Sequence, residues 1–222
     1  MKLALLMVTC RERDERREET LADLAASDWG KGPDVIVRDD ESASAPPFCD
    51  ARTWAIHRIR DTWRRAIAVA TSQEADAILC VEDDLRFSKH LWHNLQSWLP
   101  LVWLRGGGPY SRDPGHLWAS LYDPGLERGV VNLRERYFVP ARPGDVYGAQ
   151  AIIIGRLTAQ HVRDRWDAPG AGTNPDEKIA RLASERTTLL YHLPSLVDHV
   201  QGPSTWGAVA HQAKHFDLNW RA

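Results

Sequence analysis

Three short apolar runs, each passing straight into polar or charged residues, set the architecture open to this chain. LALLMV (3–8), DVIV (34–37) and AILCV (77–81) contain no polar alternation. LALLMV, apolar throughout, is the pattern of a strand covered on both faces rather than on one, and DVIV reads as a short strand. Helical stretches separate them. ETLADLAAS follows the first run, and over 51–70 the residues Ile56, Ile59, Trp63, Ala66 and Ala70 recur at helical spacing. The opposite face of that second helix, with Arg58, Asp61 and Arg65, reads as solvated, Asp61 and Arg65 standing at i, i+4. After the third run comes a helix from about Ser88, with Leu91, Trp92, Leu95, Trp98 and Leu99 on its apolar face, and Pro100 ends it. A β-α-β-α-β-α order implies an α/β fold with a mostly parallel central sheet and helices on both faces.

The second half is less regular. HLWASLYD and AQAIIIG read as strands, LTAQHVRDRW as a helix, GTNPDEKIARL as a loop running into a helix, and TTLLYHL as a strand. RGGGPYSRDPG (105–115) reads as a loop, and PSLVDHVQGPSTWG trails into an irregular C-terminus. No composition shift marks a linker, so we expect one domain over 1–222, with a nucleotide-binding half at 1–100 and an acceptor-binding half at 101–222. The net charge of −2 gives no global reason to expect a large nucleic-acid footprint. Ten tryptophans are unusual; they are core material or stacking surfaces. Three cysteines at unrelated spacings fit neither a disulfide framework nor a zinc site and point to a reducing compartment. The apolar start is too short and wrongly flanked by RERDERREE for a leader, and no stretch is long enough to span a membrane, so a cytoplasmic protein is expected.

In parallel α/β sheets ligands bind beyond the carboxyl ends of the strands. Cys10-Arg11, Asp39-Asp40 and Glu82-Asp83-Asp84 all fall at such ends. There is no G-x-x-x-x-G-K-[ST] loop and no G-x-G-x-x-G after a strand, so any phosphate must be met by a metal or by arginines. The carboxylate triplet suits a hard divalent cation, Mg2+ or Mn2+, able to bridge to a diphosphate. Its bland alternative is a solvated acidic turn, or complementation of the next helix dipole.

An apolar strand ending in an acidic D-x-D-like motif, after a nucleotide-type β/α half, resembles the GT-A fold of nucleotide-sugar-dependent glycosyltransferases. The motif here is Glu82-Asp83-Asp84, with Glu at the first position. The resemblance implies that Asp84 ligates Mn2+ or Mg2+ directly, that Glu82 or Asp83 meets the ribose or a metal-bound water, and that His199 in PSLVDHVQGPS completes the metal site. It places Thr9, Arg11 and Arg13 of the first loop, with Asp39 and Asp40, around the base and ribose. Arg52, near a helix start, is a candidate diphosphate contact beside Arg11 and Arg13. Inversion at the sugar also needs a base for the acceptor hydroxyl. In GTNPDEKIARL, Asn174 suits an N-cap, Pro175 the first helical position and Glu177 a capping box, which leaves Asp176 as the candidate base. The implied activity is transfer of a hexose from a UDP-sugar to a hydroxyl of a glycan or small molecule. The alternatives are the same chemistry on a hydroxymethylated base in DNA, a metal-dependent nucleotidyltransferase or phosphohydrolase, and a non-catalytic nucleotide-binding module. His192, on an apparent strand, reads as structural.

Overall fold

The three apolar runs form the parallel part of a seven-stranded sheet. In the computed structural model, residues 1–10, 13–39, 47, 49–106, 113–123, 138–142, 146, 148–170, 174–200 and 212–222 are described. Strand β1 (Leu3–Thr9) pairs in parallel with β2 (Val35–Arg38) on one side and with β3 (Ala77–Glu82) on the other. Helices α1 (Asp14–Ala26) and α2 (Ala51–Ser72) make the crossovers. Beyond β3 lie β5 (Trp118–Ser120), β6 (Phe138–Ala141), β7 (Ala151–Gly155) and β8 (Leu189–His192), in the order β2-β1-β3-β7-β5-β8-β6. β7 runs antiparallel to β3 and β5, and β6 antiparallel to β8, while β5 and β8 are parallel. The fold is therefore α/β, parallel in its first half and mixed in its second, as the apolar pattern implies.

Period-two alternation divides the buried strand residues between two layers. Leu5, Met7, Leu79, Val81 and Ile153 meet Leu24 of α1 and the helices α3 (Leu91–Ser97) and α4 (Leu99–Gly106). Leu6, Val8, Ile78, Cys80 and Ile152 meet Trp63, Ala66, Ile67 and Ala70 of α2, with α5 (Arg156–Arg165) and α6 (Pro175–Ser184) alongside. Burial pushes the Cys80 thiol up to about 12, so it serves as an apolar wedge. Of the tryptophans, Trp29, Trp63, Trp98, Trp118 and Trp166 are buried, which makes them core.

Three expectations need correction. Pro100 does not end a helix: α3 stops at Ser97, Trp98 is extended, and Pro100 is the second residue of α4, where its missing N–H has no intrahelical partner to lose. DHV is not irregular. Val197–His199 forms β9, antiparallel to β4 (Leu85–Phe87), so a short second sheet joins part of the tail expected to be irregular to the residues just before the helix expected from about Ser88. Three-residue strands are too short for periodicity to register. The basic face of α2 is not simply solvated either. Arg58 reaches Asp39 at 2.7 Å, and Arg65 Nη2 donates to the Arg38 carbonyl at 2.6 Å, because α2 crosses the end of β2 within reach of long side chains.

Candidate functional site

The acidic triplet leaves the sheet at the carboxyl end of β3, and its members part company there. Thr9 follows the Val8–Glu82 pair of the β1–β3 ladder, which puts its hydroxyl against Asp83. Thr9 Oγ1 donates to Asp83 Oδ2 at 2.5 Å, the Cys10 N–H donates to the same oxygen at 3.3 Å, and Arg13 Nη1 donates to Oδ1 at 2.8 Å. Asp83 thus has both oxygens committed to the loop between β1 and α1. The turn is fixed from behind by Thr20 of α1, whose buried hydroxyl donates to the Asp83 carbonyl at 2.9 Å and accepts from the Leu85 N–H at 3.1 Å.

Asp84 looks the other way. Its Oδ2 lies 2.7 Å from Arg13 Nη1 and 3.1 Å from His199 Nε2, while its Oδ1 is buried with no partner among the described residues. His199 arrives through β9, where it pairs with Leu85 in register, and the Val200 N–H donates to the Asp84 carbonyl at 2.8 Å. Burial works against the Asp84 charge, but the His199 hydrogen bond and the Arg13 guanidinium hold its carboxyl below the usual range. Asp83, without a histidine, is pushed up by burial against Arg13 and Thr9. Arg13 is itself held more firmly protonated than usual: Asp84 and Asp83 outweigh its burial. The positive charge at the triplet is therefore this guanidinium.

Glu82 is half-buried. Burial first, then the Asp84 charge, push its carboxyl up to about 8, with Arg13 opposing and Asp83 and Asp176 adding to the rise. Its N–H donates to the Gln150 carbonyl at 2.8 Å, which ties the site to the entry of β7. Gln150 is buried, its Oε1 has no partner among the described residues, and its carboxamide lies against Gly148, where a β-carbon would collide with it. Gly148 has φ +72°, a conformation that suits glycine. Asp176, in the first turn of α6, accepts from the Gly148 N–H at 2.9 Å and from the Glu177 N–H at 2.8 Å. Asn174 occupies the N-cap position, but its side chain makes no capping bond.

The structure thus gathers Thr9, Arg13, Glu82, Asp83, Asp84 and His199 at one strand end, with Asp176 close enough for its charge to act on Glu82. Asp39 stands at the neighbouring end of β2, its N–H on the Thr9 carbonyl at 3.1 Å. Arg11, Asp40 and the Arg52 side chain lie outside the described residues. Sequence reasoning missed Thr20, Arg58, Gly148 and Gln150. Only the glycine carried a signal, a lone Gly three residues before a buried strand.

Asp84 and His199 fit a hard divalent cation. Asp84 Oδ1 is a buried carboxylate oxygen with no partner among the described residues, and the His199 imidazole stands at the other oxygen, Oδ2. Among the described residues no group of three or more His, Cys, Asp or Glu side chains converges to hold a metal. The donor set therefore suits an ion that keeps water and takes phosphate oxygens, the habit of Mg2+ and Mn2+ at substrate phosphates. Among the described residues, no helix is long and apolar enough to cross a membrane.

No family model and no curated protein matches the chain. Among solved structures it is similar to the apo form of the glycosyltransferase GlyE of Streptococcus pneumoniae TIGR4, with 10% identity and a TM-score of 0.43 over 85% of this chain and 45% of that one. It is similar also to residues 1–349 of S. aureus TarS, with 13% identity and a TM-score of 0.45 over 86% and 60%. A third is a glycosyltransferase involved in glycosylation of the major capsid of PBCV-1, with 9% identity and a TM-score of 0.36 over 86% and 93%. The chain spans less than two thirds of the length of the first two.

Proposed function

We propose that this protein is a metal-dependent glycosyltransferase that moves a sugar from a nucleotide diphosphate donor, UDP in the first instance, to an acceptor hydroxyl. The observation that carries the reading is the divided carboxylate of Asp84, one oxygen shared by Arg13 and His199 and the other buried without a partner among the described residues. Such an arrangement at the carboxyl end of a parallel strand suits a ligand that brings a cation and phosphates together. Asp84 and His199 would hold Mn2+ or Mg2+, which when bound neutralises charge developing on the leaving diphosphate. Asp39, held by Arg58, and the Glu82 carboxyl would meet the ribose hydroxyls. Arg13 supplies a fixed positive charge beside the phosphates.

In an inverting transfer the acceptor oxygen bonds to the anomeric carbon, the bond from that carbon to the diphosphate oxygen breaks, and the acceptor proton leaves to a base. Asp176 is the candidate. Two backbone N–H groups orient its carboxylate and leave lone pairs for that proton.

A thermal-shift series with UDP, UDP-sugars and other nucleotide diphosphates, with Mn2+ or with EDTA, tests the reading. UDP at about a hundred times its dissociation constant should stabilise by about 2.7 kcal/mol, only with the cation present, and Asp84→Asn should abolish the effect. Equal stabilisation in EDTA overturns the cation's part. No response to any nucleotide overturns the whole.

A further inference from the structure

We propose that Arg13 and the divalent cation are alternative partners of Asp84, and that the donor diphosphate draws the Arg13 guanidinium off that carboxylate, making cation binding conditional on the donor. The inference rests on the reading of the site given above and adds to it a role for one residue.

The geometry is specific. A single nitrogen, Arg13 Nη1, sits 2.8 Å from Asp83 Oδ1 and 2.7 Å from Asp84 Oδ2, and so neutralises both buried carboxylates at once. The contact with Asp83 is a hydrogen bond backed by Thr9 and the Cys10 N–H, whereas Asp84 keeps His199 as a second partner. Releasing Asp84 therefore leaves Arg13 anchored on Asp83. A guanidinium carries five N–H donors, and among the described residues Nε and Nη2 of Arg13 have no partner, so they remain for a phosphate. The side chain is buried except for 16% of its surface, which leaves it at the wall of the site rather than in bulk water.

A cation added to Asp84 while Arg13 stays in place sets two positive groups on one buried carboxylate, and like charges in a poorly solvated site repel strongly. Arg13 thus opposes the bare ion. A diphosphate reverses the sign of the problem. Its oxygens accept from the spare guanidinium N–H groups and also ligate the cation, so both positive charges gain a partner together. Arg13 is then a positioning residue that couples the two ligands: each improves the other's affinity by the same factor.

The test is Mn2+ binding to the full chain, measured from the electron paramagnetic resonance of free Mn2+, with and without UDP. Wild type should bind Mn2+ weakly alone and at least tenfold more tightly with UDP. Arg13→Gln should bind Mn2+ alone at least tenfold more tightly than wild type and lose most of the gain from UDP, while Arg13→Lys, which keeps the charge but not the forked N–H groups, should bind bare Mn2+ as weakly as wild type and lose part of the gain from UDP. If Arg13→Gln does not fold, the double variant Arg13→Gln/Asp83→Asn, which removes one carboxylate together with its cation, should show the same gain. A variant that binds bare Mn2+ no better than wild type, or worse, overturns the proposal and leaves the cation site standing. Failure of both proteins to take up Mn2+ even with UDP overturns the cation site, and the proposal falls with it.

Discussion

His192 gives the sharpest test of how the site is supported. It ends β8, is fully buried, and lies between Trp98, at 4.9 Å between ring centroids, and Trp220 of the C-terminal segment, at 5.3 Å. Its Nδ1–H donates to the Pro194 carbonyl at 2.7 Å, and Nε2 is buried with no partner among the described residues. Burial pushes its pKa from 6.5 down to about 4. The folded protein therefore keeps His192 neutral where the unfolded chain binds a proton. Stability from this group is complete above pH 6.5 and is lost as pH falls toward 4. The full loss is about 3 kcal/mol, of which about 2 should be gone by pH 5. Urea denaturation of wild type and His192→Phe at pH 7 and pH 5 isolates the effect from other histidines. Phe keeps a ring between the tryptophans but leaves Pro194 without its donor, so the variant should start about 1 kcal/mol less stable at pH 7. Between pH 7 and pH 5 wild type should lose about 2 kcal/mol more than the variant. Equal losses would refute the reasoning and place the acid sensitivity elsewhere.

Thr20→Val, isosteric but unable to hydrogen-bond, should cost about 2–4 kcal/mol in urea denaturation by stranding the Asp83 carbonyl and the Leu85 N–H; unchanged stability would mean that another group holds this turn. Gly148→Ala should cost about 1–3 kcal/mol, since its φ is +72° and the new β-carbon strikes the Gln150 carboxamide; an unaltered melting temperature would contradict that packing. Asp176→Asn should leave UDP affinity intact and cut transfer by about 10²-fold or more. It should also lose about 1 kcal/mol, because a carboxamide has one oxygen for two backbone N–H groups. Transfer at the wild-type rate would move the base elsewhere.

The layered sheet was legible because its evidence is local. Leu3–Val8 and Ala77–Val81 are apolar at every position and too short for a helix, as strands covered on both faces are. Glu82 to Asp84 stood out for the same reason, as charges where an apolar run ends. The division of labour inside the triplet was not legible. Asp83 and Asp84 are adjacent and chemically identical, and only the pleat, with Thr9 on one side and His199 on the other, makes one a structural anchor and the other a half-free carboxylate. Arg58 was misread because helical periodicity reports the face a residue leaves from, not the distance an arginine reaches back. The β4–β9 pairing was invisible because each strand is three residues long and its partner lies at the far end of the chain.

That short ribbon is what turns two remote motifs into one site. Leu85 and His199 are cross-strand partners, so the residue just before Leu85 and the residue at the end of β9 approach without any contact between their main sheets. The Val200 N–H on the Asp84 carbonyl closes the ribbon at its Asp84 end. A three-residue ladder is marginal by itself, and the structure reinforces it from outside. Asp23 of α1 accepts from the Phe87 N–H, and Asp198 Oδ1 accepts from the N–H groups of both His199 and Ala213. The C-terminal segment then continues along α3, with Lys89 N–H on the Leu218 carbonyl and Asn94 Nδ2 on the Trp220 carbonyl. Through Trp220 it meets His192, the buried ring that acid unsettles. The distance between Asp84 and His199 is therefore set less by the large sheet than by α1 and the last residues of the chain. Changes there should reach the Asp84–His199 pair before they reach the core.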